Sequence, residues 1–440
     1  MKRVLALVLA LCLALSLAAC GGSGNSTSQP AAGGSEGGSS AAEAVLTEEI
    51  TIKFANYALL EDGYTEFWEG VKSGFEEKYP NITIEWVTAP YGEITNQVIN
   101  MAGGGDMVDM MFGELDWIPT LEDAGLTVPV TEVLTEEYLA DFYPSVLESC
   151  KVDGEIYGLP MYISPFILYY NKDLFEQAGL DPNTPPATYD EMLTMAESLS
   201  KLKTADGNPV YPFGQTTASV AVSGASLTGM IYNFGGTVLD ENGQLATGNQ
   251  GLKDTFTMLQ TLDEKGYNPQ NAKLKDLRQL FATGQLAMYY DQSWGFNGVS
   301  SINPDAASFT ASAPALKGGD GNGASILQGQ VLLYMDNGDL QREACRLLTE
   351  YMLTEEVLVD YITNITPAYP AKQSMADMEL NPVLQGAAGS IDNLSSAPFV
   401  AAQADLNLEL CTLAQAVTVS DTDVDTAIAN FEKTASGMVG

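Results

Sequence analysis

Polar and apolar residues alternate with period two through Glu49-Ile50-Thr51-Ile52-Lys53-Phe54-Ala55, the pattern of a strand with one buried face. Tyr64, Phe67, Trp68, Val71, Phe75 and Tyr79 then recur at helical spacing, and Pro80-Asn81 ends that helix. Ile82–Val87 alternates again. Gln97–Met101 closes a short helix broken by Gly103-Gly104-Gly105, and Val108–Phe112 is a compact apolar strand. This β-α-β-α-β order predicts a parallel α/β sheet. Such sheets bind ligands beyond the carboxyl ends of their strands, here Asn56-Tyr57, Pro90-Tyr91 and Gly113-Glu114.

Further along, Thr188-Tyr189-Asp190-Glu191 has the form of a capping box before an apolar-periodic stretch, Met192–Leu202. An Asn-Gly pair inside Leu239–Leu245 signals a hairpin. Leu286–Tyr290 reads as a strand. Helical periodicity returns in 251–265, 274–282, 340–353 and 398–413, and no internal repeat is present.

The 440 residues, 45% of them apolar, suffice for two or three domains with a sizeable core. Nineteen Lys and Arg against 57 Asp and Glu leave a net charge of −38, which argues against nucleic-acid binding. Histidine is absent, which removes Ser-His-Asp and Cys-His catalysis and all His-ligated metal sites. No C-x-x-C and no P-loop pattern occurs. Asp421, Asp423, Asp425 and Glu432 fall at calcium-loop spacing, but Thr426 stands where that loop requires Gly, and 427–436 reads as helix. Gly103–Gly105 lacks the Lys of a phosphate cradle. No metal, cofactor or catalytic residue is expected.

Met1-Lys2-Arg3 precedes an apolar run, Val4–Ala19, shorter than the roughly 20 residues of a spanning helix, so residues 1–19 read as a signal peptide. The run ends Leu17-Ala18-Ala19-Cys20, which resembles the lipobox of bacterial lipoproteins. That resemblance implies a diacylglycerol thioether on Cys20 and a protein anchored to the extracytoplasmic face of the cell membrane. An ordinary secretory signal is the alternative. Residues 20–46, mostly Gly, Ser and Ala, form a flexible linker. Cys150, Cys345 and Cys411 are odd in number and far apart, so buried free thiols are expected.

The central sequence carries Asp153-Gly154-Glu155-Ile156-Tyr157-Gly158-Leu159-Pro160, then Leu168–Phe175 (LYYNKDLF), Ala178-Gly179-Leu180 and Pro185-Pro186-Ala187-Thr188-Tyr189-Asp190-Glu191. Phe281–Met288 (FATGQLAM) and Ser293-Trp294 follow. These motifs, in this order, resemble the extracellular solute-binding proteins of ABC importers, in the group that includes maltose- and oligosaccharide-binding proteins. Gln292 replaces the family's usual Gly before the Trp, and Thr366–Ala371 lacks a Gly found there. The resemblance implies an α/β, two-lobed periplasmic-binding-protein-like fold, each lobe a mainly parallel sheet flanked by helices, with the ligand in the cleft. Residues 47–160 plus 330–370 would form lobe one and 165–325 plus 395–440 lobe two. The crossings would be 161–164, 326–330 and 370–395.

A sugar needs aromatic rings for its apolar face and carboxylates or amides for its hydroxyl rim. The resemblance makes Trp294 a stacking residue, although a core Trp at a helix start is the alternative. Asp291 and Gln292 either bond hydroxyls or cap a helix. Glu114 and Asp116 compete for a ligand-bonding carboxylate. Trp117 either joins them or staples the next helix. Tyr57 and Tyr91 sit at strand ends, and Tyr162 and Gln328 at crossings. Gly329 reads as a backbone requirement. Asn233, Tyr369 and Phe399 are weaker candidates.

The resulting expectation is a lipid-anchored, monomeric, non-enzymatic receptor that hands a carbohydrate to ABC permease subunits. A same-fold receptor for a peptide or signalling solute is the first alternative. A secreted glycosidase is the second, and paired carboxylates are too common in this chain to support it.

Overall fold

The computed structural model describes residues 42, 45, 47–61, 63–395, 400 and 402–439. The signal segment, Cys20, most of the linker and Phe399 lie outside the described residues. Among the described residues no helix is long and apolar enough to cross a membrane.

The first elements are β1 (Ile50–Asn56), α1 (Thr65–Lys78), β2 (Ile82–Val87), α2 (Ile94–Gly103) and β3 (Met110–Glu114), in the expected order. β1 pairs in parallel with both β2 and β3. Alternation does the work in β1, where Ile50, Ile52 and Phe54 are buried while Thr51 is exposed. Trp68, Val71 and Phe75 form the buried stripe of α1. The Trp68 ring lies 5.8 Å from Phe54 and 4.9 Å from Phe112, fixing the helix on the sheet. Burying one such side chain stabilises by about 1.5–3 kcal/mol. Gly104 caps α2 and Gly105, at φ +80°, turns the chain, so the triple glycine is a helix stop.

The chain continues through β4 (Leu159–Pro160), β5 (Tyr162–Ile163), β6 (Phe166–Asn171), α3 (Tyr189–Leu199), β7 (Tyr211–Gly214), α4 (Ala221–Asn233), α5 (Gln250–Glu264) and α6 (Leu274–Ala282). Then come β8 (Leu286–Gln292), β9 (Thr310–Ala313), β10 (Ser325–Ile326), β11 (Gln330–Tyr334), α7 (Asp339–Met352), β12 (Tyr369–Pro370), β13 (Leu394–Ser395), α8 (Gln403–Thr418) and α9 (Val424–Ala435).

Two main sheets result, ordered β2-β1-β3-β11-β4 and β9-β6-β8-β7. The first sheet draws its strands from residues 50–160 and 330–334, the second from residues 166–313. The expectation of mainly parallel sheets needs correction. β11 is antiparallel to β3 and β4, and β6 is antiparallel to β8 and β9, leaving β7–β8 as the one parallel ladder of the second sheet. The reason is where strands meet the cleft. β3 ends there at Glu114, whereas β11 starts there at Gln330. Likewise β8 ends there at Gln292, whereas β6 starts just beyond the first crossing.

Thr188 caps α3 through its Oγ1, which accepts from Glu191 N at 3.1 Å. The Glu191 carboxylate accepts from Ala187 N at 2.7 Å, one residue earlier than in a standard capping box. Leu239 and Leu245 bridge antiparallel around Gly243, as the hairpin signal required. The helix read at 398–413 lies instead at Gln403–Thr418, because its buried stripe starts at Leu406 and runs on to Val417. Asp423 caps α9 by accepting from Thr426 N at 3.1 Å, and Asp425 pairs with Lys253 at 2.6 Å.

The crossings are tied together. β5 pairs with β12, and β10 with β13. Met161 N donates to Gln330 O at 2.9 Å, and Ser164 N to Gln328 O at 2.6 Å. A Cβ on Gly329 would lie 2.3 Å from Tyr162 O, so this close approach requires glycine. Within 370–395, Pro382–Asp392 packs on the edge strand β9, where Ser312 Oγ donates to Val383 O at 2.6 Å.

One apolar core runs through both sheets, and a second joins α4, α5, α8 and α9 around Leu227, Phe256, Leu410 and Phe431. Cys150, Cys345 and Cys411 are unpaired and buried. Burial pushes the Cys411 thiol up to about 11 and raises those of Cys150 and Cys345 as well.

Candidate functional site

A cavity of about 550 Å³ opens between the carboxyl ends of β1 and β3 on one side and α4 and α8 on the other, floored by the crossings. Tyr57, Tyr91, Glu114, Asp116, Tyr162, Trp294 and Gln328 all line it. Each is a residue singled out by sequence.

Lobe one contributes an aromatic and acidic wall. The Tyr57 ring stacks on Phe112 at 5.5 Å and meets Tyr91 edge-on at 5.1 Å. Tyr57 is buried, whereas Tyr91 is 47% exposed. Glu114 ends β3. Its Oε1 accepts from Tyr57 OH at 2.8 Å and from Gln330 Nε2 at 2.8 Å. β3–β11 pairing places Glu114 directly opposite Gln330. Asp116, in the turn after β3, is exposed at the cleft.

Burial pushes the Glu114 carboxyl up to about 7. The hydrogen bond from Gln330 opposes that rise, the Asp116 charge adds to it, and the hydrogen bond from Tyr57 opposes it. The folded protein therefore holds this proton at a pH where the unfolded chain has lost it. Stability from this group falls as pH rises from about 4.5, and the full penalty is reached above about 7. Glu114→Gln is expected to raise stability by about 2–3 kcal/mol at pH 8.5 and to leave it unchanged near pH 4. Urea unfolding of both proteins at the two pH values checks this. An equal difference at both would contradict it.

Lobe two places Trp294 in a short turn between β8 and the following helix. Tyr169 OH donates to Ser293 O at 2.6 Å, and Ser293 bonds Ser164 of the first crossing at 2.9 Å, so this turn is anchored from behind. The Arg278 guanidinium lies 4.9 Å from the indole centroid. It is held by Asp291, with Nε–Oδ2 at 2.6 Å and Nη2–Oδ1 at 2.7 Å. One side of the ring meets a fixed cation, and the residue also lines the cavity. The remaining wall mixes aliphatic residues, Ala221, Val222, Ala225, Leu239, Leu406 and Leu410, with Thr228, Tyr232, Gln403 and Asn407.

Four candidates stay out of the cavity. Asp291 is fully buried and its carboxylate is spent on Arg278 and on Gln292 N. Trp117 lies behind, edge-on to Tyr57 at 5.7 Å and packed over Gly113. Asn233 bonds Tyr189 and Ala324, and Tyr369 donates to Leu384 O, both as buried structural groups. Sequence reasoning passed over Gln330, Tyr64, Tyr232, Tyr361 and the α8 residues that line the cavity. Gln328 and Gln330, two apart on an extended segment, share a face, and that spacing was a usable signal.

The profile of the family described as bacterial extracellular solute-binding protein matches residues 71–387. A binding protein of Brucella abortus is 24% identical over 270 residues, covering 61% of this chain and 63% of its own length. The match thus spans under two thirds of that relative. The maltodextrin-binding protein of Bacillus subtilis is 25% identical over 308 residues, covering 67% of this chain and 64% of that one. Among solved structures, the cyclic α-maltosyl-1,6-maltose binding protein of Arthrobacter globiformis superposes with a TM-score of 0.77 at 19% identity, covering 88% and 98% of the two chains.

Proposed function

Because this chain belongs to the bacterial extracellular solute-binding proteins, we propose that it is the receptor of an ABC importer, closing on a saccharide and delivering it to the permease. The observation that carries the reading is the cavity itself. It is bounded by both lobes and lined by Tyr57, Tyr91 and Trp294 with Glu114 and Asp116. Aromatic faces suit the apolar face of a sugar ring, and carboxylates suit its hydroxyl edge. The named specificities of the Bacillus and Arthrobacter proteins support a carbohydrate. The glycosidase rival is weaker, since the matching family and the named relatives are binding proteins.

A thermal-shift screen over mono- and oligosaccharides tests this. A ligand present at 100 times its Kd adds about 2.7 kcal/mol, a plain rise in melting temperature. Stabilisation by peptides and by no sugar would favour the other receptor reading, for which the aliphatic part of the lobe-two wall is the supporting feature.

The same reading places the mature protein on the extracytoplasmic face of the membrane through Cys20, as a monomer. Cys20→Ser is expected to release the protein into the soluble fraction. Retention equal to wild type would put the anchor elsewhere.

A further inference from the structure

We propose that the base of the cleft is a cation-accepting subsite that selects a saccharide carrying a protonated amine. The proposal rests on the saccharide-receptor reading and specifies its ligand class. The first observation is charge. The charged residues lining the cavity are Glu61, Glu114 and Asp116, and among the described residues no Lys or Arg lines it.

The second observation is independent of charge and concerns unspent acceptors. Tyr57 OH and Gln330 Nε2 both donate to Oε1 of Glu114. Among the described residues no group donates to its Oε2. Gln292 Nε2 donates to Gln328 Oε1 at 2.5 Å, while Gln292 Oε1 has no partner, on a cavity-lining residue only 5% exposed. Gln330 Oε1, also on a cavity-lining residue, is likewise unpartnered. The two amide oxygens are closed off from solvent, so the acceptor left to a ligand at the base is Oε2 of Glu114, with the nearby donors spent on holding Oε1 in place.

A buried acceptor without a donor is costly, and the group that relieves it best brings several N–H bonds. An ammonium brings three, and its positive charge favours the ionised form of Glu114, whose carboxyl is otherwise about half protonated near pH 7, beside Asp116. A hydroxyl brings one. A carboxylate or phosphate brings none and meets like charge, so it is rejected. Trp294 does not compete for the cation, because Arg278 already lies against its ring and occupies that role. The sugar ring can then lie on the indole while its amine points to the base.

The test uses calorimetric titration of the full chain at pH 7 with D-glucose, D-glucosamine and D-glucuronate, and with the matching galacto and manno series. In the series that binds, the amino sugar is expected to bind at least fivefold tighter than its neutral parent, and the uronate at least tenfold weaker. Glu114→Gln should bring the amine-to-parent affinity ratio to about one, whatever it does to either affinity alone. A parent sugar that binds with no advantage for its amine, or a uronate that binds as well as the parent, overturns the subsite and leaves the receptor reading standing. Lack of binding by every neutral and amino sugar overturns the subsite, and the receptor reading then stands or falls on the oligosaccharide screen.

Discussion

Replacing Arg278 by methionine is expected to destabilise the protein by about 3–5 kcal/mol, the usual cost of stranding one member of a buried ion pair. The Asp291 side chain is fully buried, and Arg278 supplies both of its side-chain hydrogen-bond donors. A Cβ on Gly295 would already lie 2.3 Å from the Asp291 carboxylate, so the chain closes tightly over it. Urea unfolding measures the loss. The double variant Arg278→Met, Asp291→Asn should recover much of it, because it leaves no orphan charge. A loss below about 1 kcal/mol in the single variant would place the pair in the class of weak, solvated bridges.

Trp294→Ala is expected to weaken saccharide binding by roughly one to three orders of magnitude. Burial of the indole against a sugar face contributes about 1.5–3 kcal/mol and stacking about 0.5–1.5. Each 1.4 kcal/mol is about a decade in affinity. The melting temperature of the empty protein should change little, since Trp294 is only partly buried at the cavity wall rather than in either core. Titration of both proteins with the sugar found by screening decides the matter. Unchanged affinity removes Trp294 from the site, and a collapsed melting temperature assigns it to the core.

The local order of lobe one was readable because each element there is contiguous and periodic. Ile50–Asn56 alternates, Trp68, Val71 and Phe75 repeat at helical spacing, and both signals are contained within a few residues. Strand direction in lobe two was not readable. Met288 pairs with Tyr170 and Leu286 with Tyr211, across long separations that periodicity does not register. The same limit explains Asp291. Its position beside Trp294 made it a plausible ligand residue, but its role is set by Arg278, which sits on α6 and reaches β8 only in the folded chain. Trp117 misled for a related reason. A strand end points toward the cleft, but only packing over Gly113 decides which ring faces outward, and that ring is Tyr91. Gln330 was missed because its meaning lies in its pairing with Glu114, more than two hundred residues away.

The three buried thiols bear on how the proposed cleft closure can be tested. Thiol-directed reagents attack the thiolate, and burial holds Cys150, Cys345 and Cys411 in the protonated form at neutral pH, out of reach of a bulky probe. Among the described residues the folded globule is therefore silent toward maleimide chemistry without any cysteine being removed. One cysteine introduced on the rim of each lobe would carry a dye pair against a dark background, and the distance between the two dyes with and without sugar would test whether the lobes close, in a protein whose cores are untouched.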